Sequence, residues 1–381
     1  MLILFLDLIE RLLKEDYDMG PARVLTFITV RAALALALAF AISLLIGPWV
    51  IRRLAALKAG QVIRHSRGDN AVDLAAMHGA KAGTPTMGGL LMLFSLLLPA
   101  LLLCRLNNIH FILLLTMTFG YGALGFWDDY LKIVRKHHGG VSPWRKIAVQ
   151  AALAVVLAFT LYAGDWGVYY HPADASGYPF LMLPFFKYLY LPLGLFFIPF
   201  VVLVLLATSN AVNLTDGLDG LAIGISIANI AAFLIVAYLM SRADFSRYLY
   251  VPYIPGGGEM VVFLAALLGS SLGFLWFNAP KAEVFMGDTG SMMLGGAIGT
   301  TAVLLKQEML LLVIGGMFVI EELSVVLQVC CFKLTGTRIF RMSPLHHHYE
   351  KLGMPESKII IRFWLVSWIL SMAGLAMLKL R

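Results

Sequence analysis

Five short segments of the sequence concentrate the side chains that could do chemistry. HGAKAGTPTMGG carries His78, Lys81, Thr84 and Thr86. FWDDYLKIVRKHHGG brings Asp128, Asp129 and Lys132, and leads on to Lys146. NAVNLTDGLDG holds Asn210, Asn213, Asp216 and Asp219. WFNAPKAEVFMGDTGS adds Asn278, Phe285, Asp288 and Ser291, and FRMSPLHHHYEKLG ends the set with His346, His347 and His348.

Drawn together, these aspartates cannot all ionise without a counter-charge. Oxygen donors without cysteine favour a hard cation, and Mg²⁺ suits a site with few carboxylates completed by substrate phosphates. Lys81, Lys132 and Lys146 are suitable partners for phosphate oxygens. Glycines in TPTMGG and MGDTGS let backbone N–H groups approach a phosphate closely. The chemistry this describes is phosphoryl transfer, in which positioning and charge stabilisation supply most of the catalysis.

Spacing divides the roles. Asp216 and Asp219 lie three apart and share a helix face, so both can reach one ligand. Asp128 and Asp129 point about 100° apart on a helix, which gives them different jobs. Consecutive histidines present alternate rings to one side if the segment is extended. Each segment alone has a plainer reading: a helix stop at Asp128, a metal-scavenging surface run at His346, helix packing at the glycines. For Gly295 and Gly299 the packing reading is preferred. The plainer readings do not account for five such clusters on one face.

The elements that must position these residues are membrane helices. The 381-residue chain is 60% hydrophobic and only 13% charged, with a mean hydropathy of +0.85. A soluble domain carries about a quarter of its residues charged. The apolar residues come in blocks of about 17–24, the length that crosses a bilayer as helix. The expectation is an all-α integral membrane protein, one polytopic domain over residues 1–381. About ten spans begin near Leu25, Gly89, Ile109, Lys146, Leu191, Leu218, Met260, Gly290, Met309 and Ile359.

A net charge of +7 might suggest nucleic acid, but the basic residues sit in short loops between apolar blocks. An excess of Lys and Arg marks the cytoplasmic side. That excess puts the five chemical segments in the cytoplasm and both termini outside. No C-x-x-C accompanies Cys104, Cys330 and Cys331, so neither a zinc site nor a disulfide framework is expected. Residues 1–20 lack a basic leader region and read as an amphipathic helix lying in the interface. Glu321 and Glu322 fall inside the ninth apolar block, which implies a broken or bent helix there, and no chemistry is assigned to them. Arg31 is expected to snorkel to the outer surface, and His137 and His138 to be solvated.

At this point the motifs become recognisable. GTPTMGG, FWDDY, NAVNLTDGLDGLA, FLWFN, VFMGDTGS and FRMSPLHHHYE resemble the phospho-N-acetylmuramoyl-pentapeptide transferase family, a branch of the polyprenyl-phosphate N-acetylhexosamine-1-phosphate transferases. The resemblance runs over nearly the whole chain, and SPLHHHYE with GTPTMGG points to this branch. It implies a ten-helix enzyme of the bacterial inner membrane, usually a homodimer, with a cytoplasmic active-site cleft. The implied substrates are UDP-N-acetylmuramoyl-pentapeptide and undecaprenyl phosphate, the implied products lipid I and UMP, and the implied cofactor Mg²⁺. Carried over residue by residue, Asp288 resembles the metal ligand, and Asp128, Asp129, Asp288 and His347 the catalytic set. Lys81, Thr86, Lys132, Lys146, Asn213, Asp216, Asp219, Asn278, Phe285, His346 and His348 resemble the substrate contacts, with Phe285 stacking on uracil. The first loop reads KAGTP, one basic residue fewer than in many members.

Two other functions compete. A sister transferase acting on UDP-N-acetylglucosamine would share the aspartates but not the histidine segment. An ion-coupled transporter would also suit ten spans, but its site would lie near the midplane between repeats. No internal repeat is present here, and the acids sit at span ends.

Overall fold

The computed structural model describes residues 24–57, 83–135, 139–164, 179–186 and 189–380. The expected interfacial helix over residues 1–20 lies outside them, as do His78, Lys81, His137 and His138. Four helices come first: α1 (Ile28–Ala56), α2 (Gly89–Leu103), α3 (Ile109–Ile133) and α4 (Pro143–Ala163). Asn108 caps α3 by accepting from the Phe111 N–H at 3.0 Å, and Pro143 opens α4, where a missing N–H does no harm. An antiparallel pair follows, β1 (Phe180–Met182) and β2 (Tyr190–Pro192), with Leu181 opposite Leu191. Next are α5 (Phe197–Thr215), α6 (Leu221–Met240), the short α7 (Ala243–Leu249), α8 (Gly258–Asn278) and α9 (Gly287–Leu304). The last are α10 (Glu308–Ile314), α11 (Gly316–Thr335), α12 (Leu345–Lys351) and α13 (Glu356–Met377).

Each expected apolar block corresponds to a helix that starts within about one turn of its predicted position, α5 being counted from its 3₁₀ entry at Gly194. Among the described residues, seven helices are long and apolar enough to cross a membrane, or up to eight if α10 and α11 form one span bent by 85°. That bend, at Gly315, precedes Glu321 and Glu322 and agrees with the bent helix expected in the ninth block. α2 is shorter, at 15 residues. α9 is less apolar for a different reason: it faces protein rather than lipid.

α9 is the hub of the bundle. It packs against α2, α3, α5 and α6, and every residue from Thr289 to Leu304 is buried. Its sequence, GDTGSMMLGGAIGTTAVL, is built from small residues that allow neighbouring backbones to come close. A side chain at Gly89 would meet the backbone of Gly290, and one at Gly125 would meet the carbonyl of Asp288. Gly295 and Gly299 face Ser209 and Thr208 of α5, the packing role expected of them. Several buried hydroxyls bond back to their own helices, as Thr118 does to the Leu114 carbonyl (2.6 Å) and Thr301 to that of Ala297 (2.7 Å). No hydroxyl so paired is left seeking water inside the apolar layer.

Arg31 does not snorkel. Its guanidinium is buried and donates to both Glu259 carboxylate oxygens at 2.8 Å, and to the Leu103 carbonyl at 3.0 Å. The Arg105 N–H donates to the same carboxylate at 2.8 Å. The expectation fails because an arginine seeks water only when no anion is nearer, and here one lies across the bundle on α8. The pair ties α1 to α8 and to the end of α2. Glu259→Ala would strand a buried cation, which costs about 3–5 kcal/mol. A clear drop in the thermal unfolding midpoint of the detergent-solubilised protein is expected; an unchanged midpoint would exclude the pair as a brace.

Candidate active site

The site is assembled where the last turns of α3 and α5 meet the first turn of α9. The bare Gly125 lets α9 approach α3, and Gly287, at φ 70°, turns the chain into α9 directly beside Asp129 and Thr86. Asp129 then takes over the helix start. Its Oδ1 accepts from the Asp288 N–H at 3.2 Å, and its Oδ2 accepts from the Thr289 N–H at 2.9 Å and the Thr289 hydroxyl at 2.7 Å. A carboxylate from one helix thus satisfies the free N–H groups and positive end of another.

The same contact places Asp288. Its Oδ2 accepts from Lys132 Nζ at 3.0 Å and Lys146 Nζ at 2.9 Å, and its Oδ1 from Asn213 Nδ2 at 2.9 Å. Asn213 also donates to Ser291 at 2.8 Å. Asp128, one turn before Lys132, pairs with that lysine through Oδ2 and accepts the Val141 N–H through Oδ1 at 2.7 Å. One ammonium therefore lies against two carboxylates, which is the charge pattern a cation site needs. Oxygen atoms of Asp128, Asp129 and Asp288 lie within 4.8 Å of one another. The donor set is all oxygen and fits a hard divalent cation. Asp128, Asp129 and Asp288 could each offer one oxygen to it, Asp129 while also holding the start of α9.

The turn between α5 and α6 forms the neighbouring wall. Asn278 accepts the Gly220 N–H at 3.0 Å and donates to the Val284 carbonyl at 2.8 Å. Asp219 accepts the Ala282 N–H at 3.2 Å. Both side chains knit the turn to residues 279–285. Phe285, half-buried, pairs its backbone with Pro85 and Gly88, both at 2.8 Å, and so runs alongside Thr86. Burial, followed by the charges of Asp288, Asp129 and Asp219, pushes the Asp216 carboxyl well above the usual carboxylate range.

The histidines fall on α12 in three different settings. The His346 ring is fully buried, with Nδ1 3.1 Å from a Glu321 oxygen. His347 Nδ1 pairs with Glu350 at 2.5 Å. His348 Nδ1 accepts the Arg341 N–H at 3.1 Å, so its proton is on Nε2. The alternation expected of an extended segment is replaced by helical spacing, which turns the three rings in three directions.

Asp128, Asp129, Asp288, Lys132, Lys146 and Asn213 are thus in one connected cluster, with Thr86 beside it and Asp216 within electrostatic reach. The histidines join through His346, which abuts Gly217 in the turn. Lys81 lies outside the described residues. Glu350 escaped the sequence reading, and Glu321 was singled out there without a role. Glu350 carried a local signal, three residues from His347 on a helix. Glu321 is 25 residues from His346, and only its place in an apolar block could have marked it.

Comparison with known proteins bears on this geometry. The model of Glycosyl transferase family 4 matches residues 111–306, which hold all five aspartates of the site region. The phospho-N-acetylmuramoyl-pentapeptide-transferase signature 1 matches residues 81–93. The phospho-N-acetylmuramoyl-pentapeptide-transferase of Citrifermentans bemidjiense is 47% identical over 369 residues, 97% of this chain and 98% of the relative. The protein of that name from Geobacter sp. (strain M21) matches equally, at 47% with the same coverage. The chain belongs to the phospho-N-acetylmuramoyl-pentapeptide-transferase family. In this chain the Asn278 side chain and His346 both reach the turn that follows α5, beside the aspartate cluster.

The raised Asp216 carboxyl has a consequence for stability. A carboxyl whose pKa is higher folded than unfolded stabilises the fold fully below the unfolded value, about 3.9, and loses that contribution as pH rises. Asp216→Asn, permanently neutral, should therefore be more stable than the parent at neutral pH, with the gain vanishing on acidification toward about pH 4. Thermal unfolding across that range checks it. A gain that grows on acidification would contradict the assignment.

Proposed function

We propose that this protein transfers phospho-N-acetylmuramoyl-pentapeptide from its UDP-linked form to undecaprenyl phosphate, giving lipid I and UMP. The observation that carries the reading is Asp288, held at the tip of a buried helix between two lysines and beside a second carboxylate. The full-length similarity to relatives bearing the transferase name supports it. It also favours the pentapeptide substrate over UDP-N-acetylglucosamine. A transporter reading gains nothing from a cluster at helix ends.

In this mechanism a phosphate oxygen of the lipid attacks the β-phosphorus of the UDP-sugar, and the bond to the UMP oxygen breaks. Mg²⁺ held by Asp288 and Asp128 would supply Lewis acidity and offset diphosphate charge. Lys132 and Lys146 leave their carboxylate partners for phosphate oxygens as substrate enters, so positive charge is ready where negative charge develops. Asp128 orients the attacking lipid phosphate. Asp216, with its raised carboxyl pKa, offers a hydrogen bond to the nucleotide, and Thr86, Asn213, Phe285, His347 and His348 surround it. Asn278 and Asp219 act by holding the turn that carries Asp216. Asp129 acts by holding Asp288.

The same reading sets ten spans in the bacterial inner membrane, counting α2, α9 and the bent α10–α11, with both termini periplasmic and the cleft cytoplasmic. It also takes the protein as a homodimer. Purified protein given both substrates should release UMP only when Mg²⁺ is added, and Asp288→Asn should abolish release. Near-normal turnover in that variant would remove Asp288 from the centre of the mechanism. Release with UDP-N-acetylglucosamine instead would move the protein to the sister branch.

A further inference from the structure

Glu321 is an acid that the mechanism above does not use, yet it is completely buried in an apolar helix just after the 85° bend. An acid in such a place is retained only with a partner. Its carboxylate is spent on one residue. Oε2 lies 3.1 Å from His346 Nδ1, and Oε1 accepts the His346 backbone N–H at 3.2 Å. Because a carboxylate only accepts, the ring proton is on Nδ1. One side chain therefore fixes both the start of α12 and the orientation of its buried imidazole.

The opposite nitrogen shows what this orientation does. His346 Nε2 is buried and has no hydrogen-bond partner. It faces Gly217, where an added Cβ would collide with it. Gly217 stands between Asp216 and Asp219, and the charges of Asp216 and Asp288 act on each other. A run of direct contacts thus leads from the bent helix through α12 to the turn beside the aspartate cluster. A brace serving stability alone would be better made of apolar groups, which carry no desolvation penalty.

We propose that Glu321 is a positioning residue for the transfer reaction: it holds His346 with Nδ1 protonated so that Nε2 sets the stance of the Asp216–Asp219 turn. Glu321 itself touches no substrate. The inference rests on the transferase reading for its activity arm but not for its structural arm.

The structural arm is nitrogen NMR of the histidine-labelled full chain in detergent. His346 should carry its proton on Nδ1, and a proton on Nε2 alone would overturn the proposal. The activity arm compares Glu321→Ala with Glu321→Gln. The alanine variant should lose about tenfold or more in kcat, as loss of a carboxylate behind a functional histidine does. KM for undecaprenyl phosphate should stay near the parent value. Glutamine keeps an acceptor oxygen and should restore most of the turnover. Parent-like turnover in Glu321→Ala would overturn the proposal, and so would a glutamine variant as poor as alanine. If Glu321→Ala does not fold, the NMR result and the glutamine variant decide. A parent protein that releases no UMP would strike the transferase reading, while the tautomer would still test the positioning of His346.

Discussion

The three bonds from Asp129 to the first turn of α9 are the constraint on which the site depends. They cross between two helices, and they fix the backbone of the residue whose side chain carries the central charge. α9 can reach Asp129 only because Gly125 has no side chain, and it can stay buried only because Gly, Ser and Thr fill its surface. Hub packing and site geometry are thus one requirement met by the same helix.

Charge balance is the second organising fact. Asp128 and Asp288 share Lys132, and Lys146 adds to the second of them. Two lysines offset two of the three clustered carboxylates before any substrate is bound. An incoming diphosphate can take the ammonium groups while a divalent cation takes the carboxylates, so each partner is exchanged for one of the same sign. Away from the cleft the logic differs. Arg31 and Glu259 meet through two bonds, with the Leu103 carbonyl and the Arg105 N–H completing the set, and together they tie α1, α8 and the end of α2.

Sequence and structure agree best where chemistry is local. Asp128 and Lys132 are one helical turn apart, and GDTG announces a turn into a helix. The apolar blocks marked the helices because a membrane demands length and hydropathy together. The reading weakened where a residue's role depends on a partner from elsewhere in the chain. Arg31 was placed at the surface because Glu259 is 228 residues away. Asn278 and Asp219 look like free polar groups in the sequence, yet each bonds to backbone across the turn.

By itself the sequence determined that the chain is helical and membrane-embedded and which side chains could handle phosphate and a hard cation, and the acids of the ninth block pointed to a bent helix there. These follow from composition, period and local spacing. Only the tertiary structure decided that Asp129 holds the start of α9, that Asp288 stands between two lysines, and that Glu321 stands behind His346. The physical reason is that a carboxylate's role is set by the donors that reach it, and in each of these cases some or all of those donors come from distant parts of the chain.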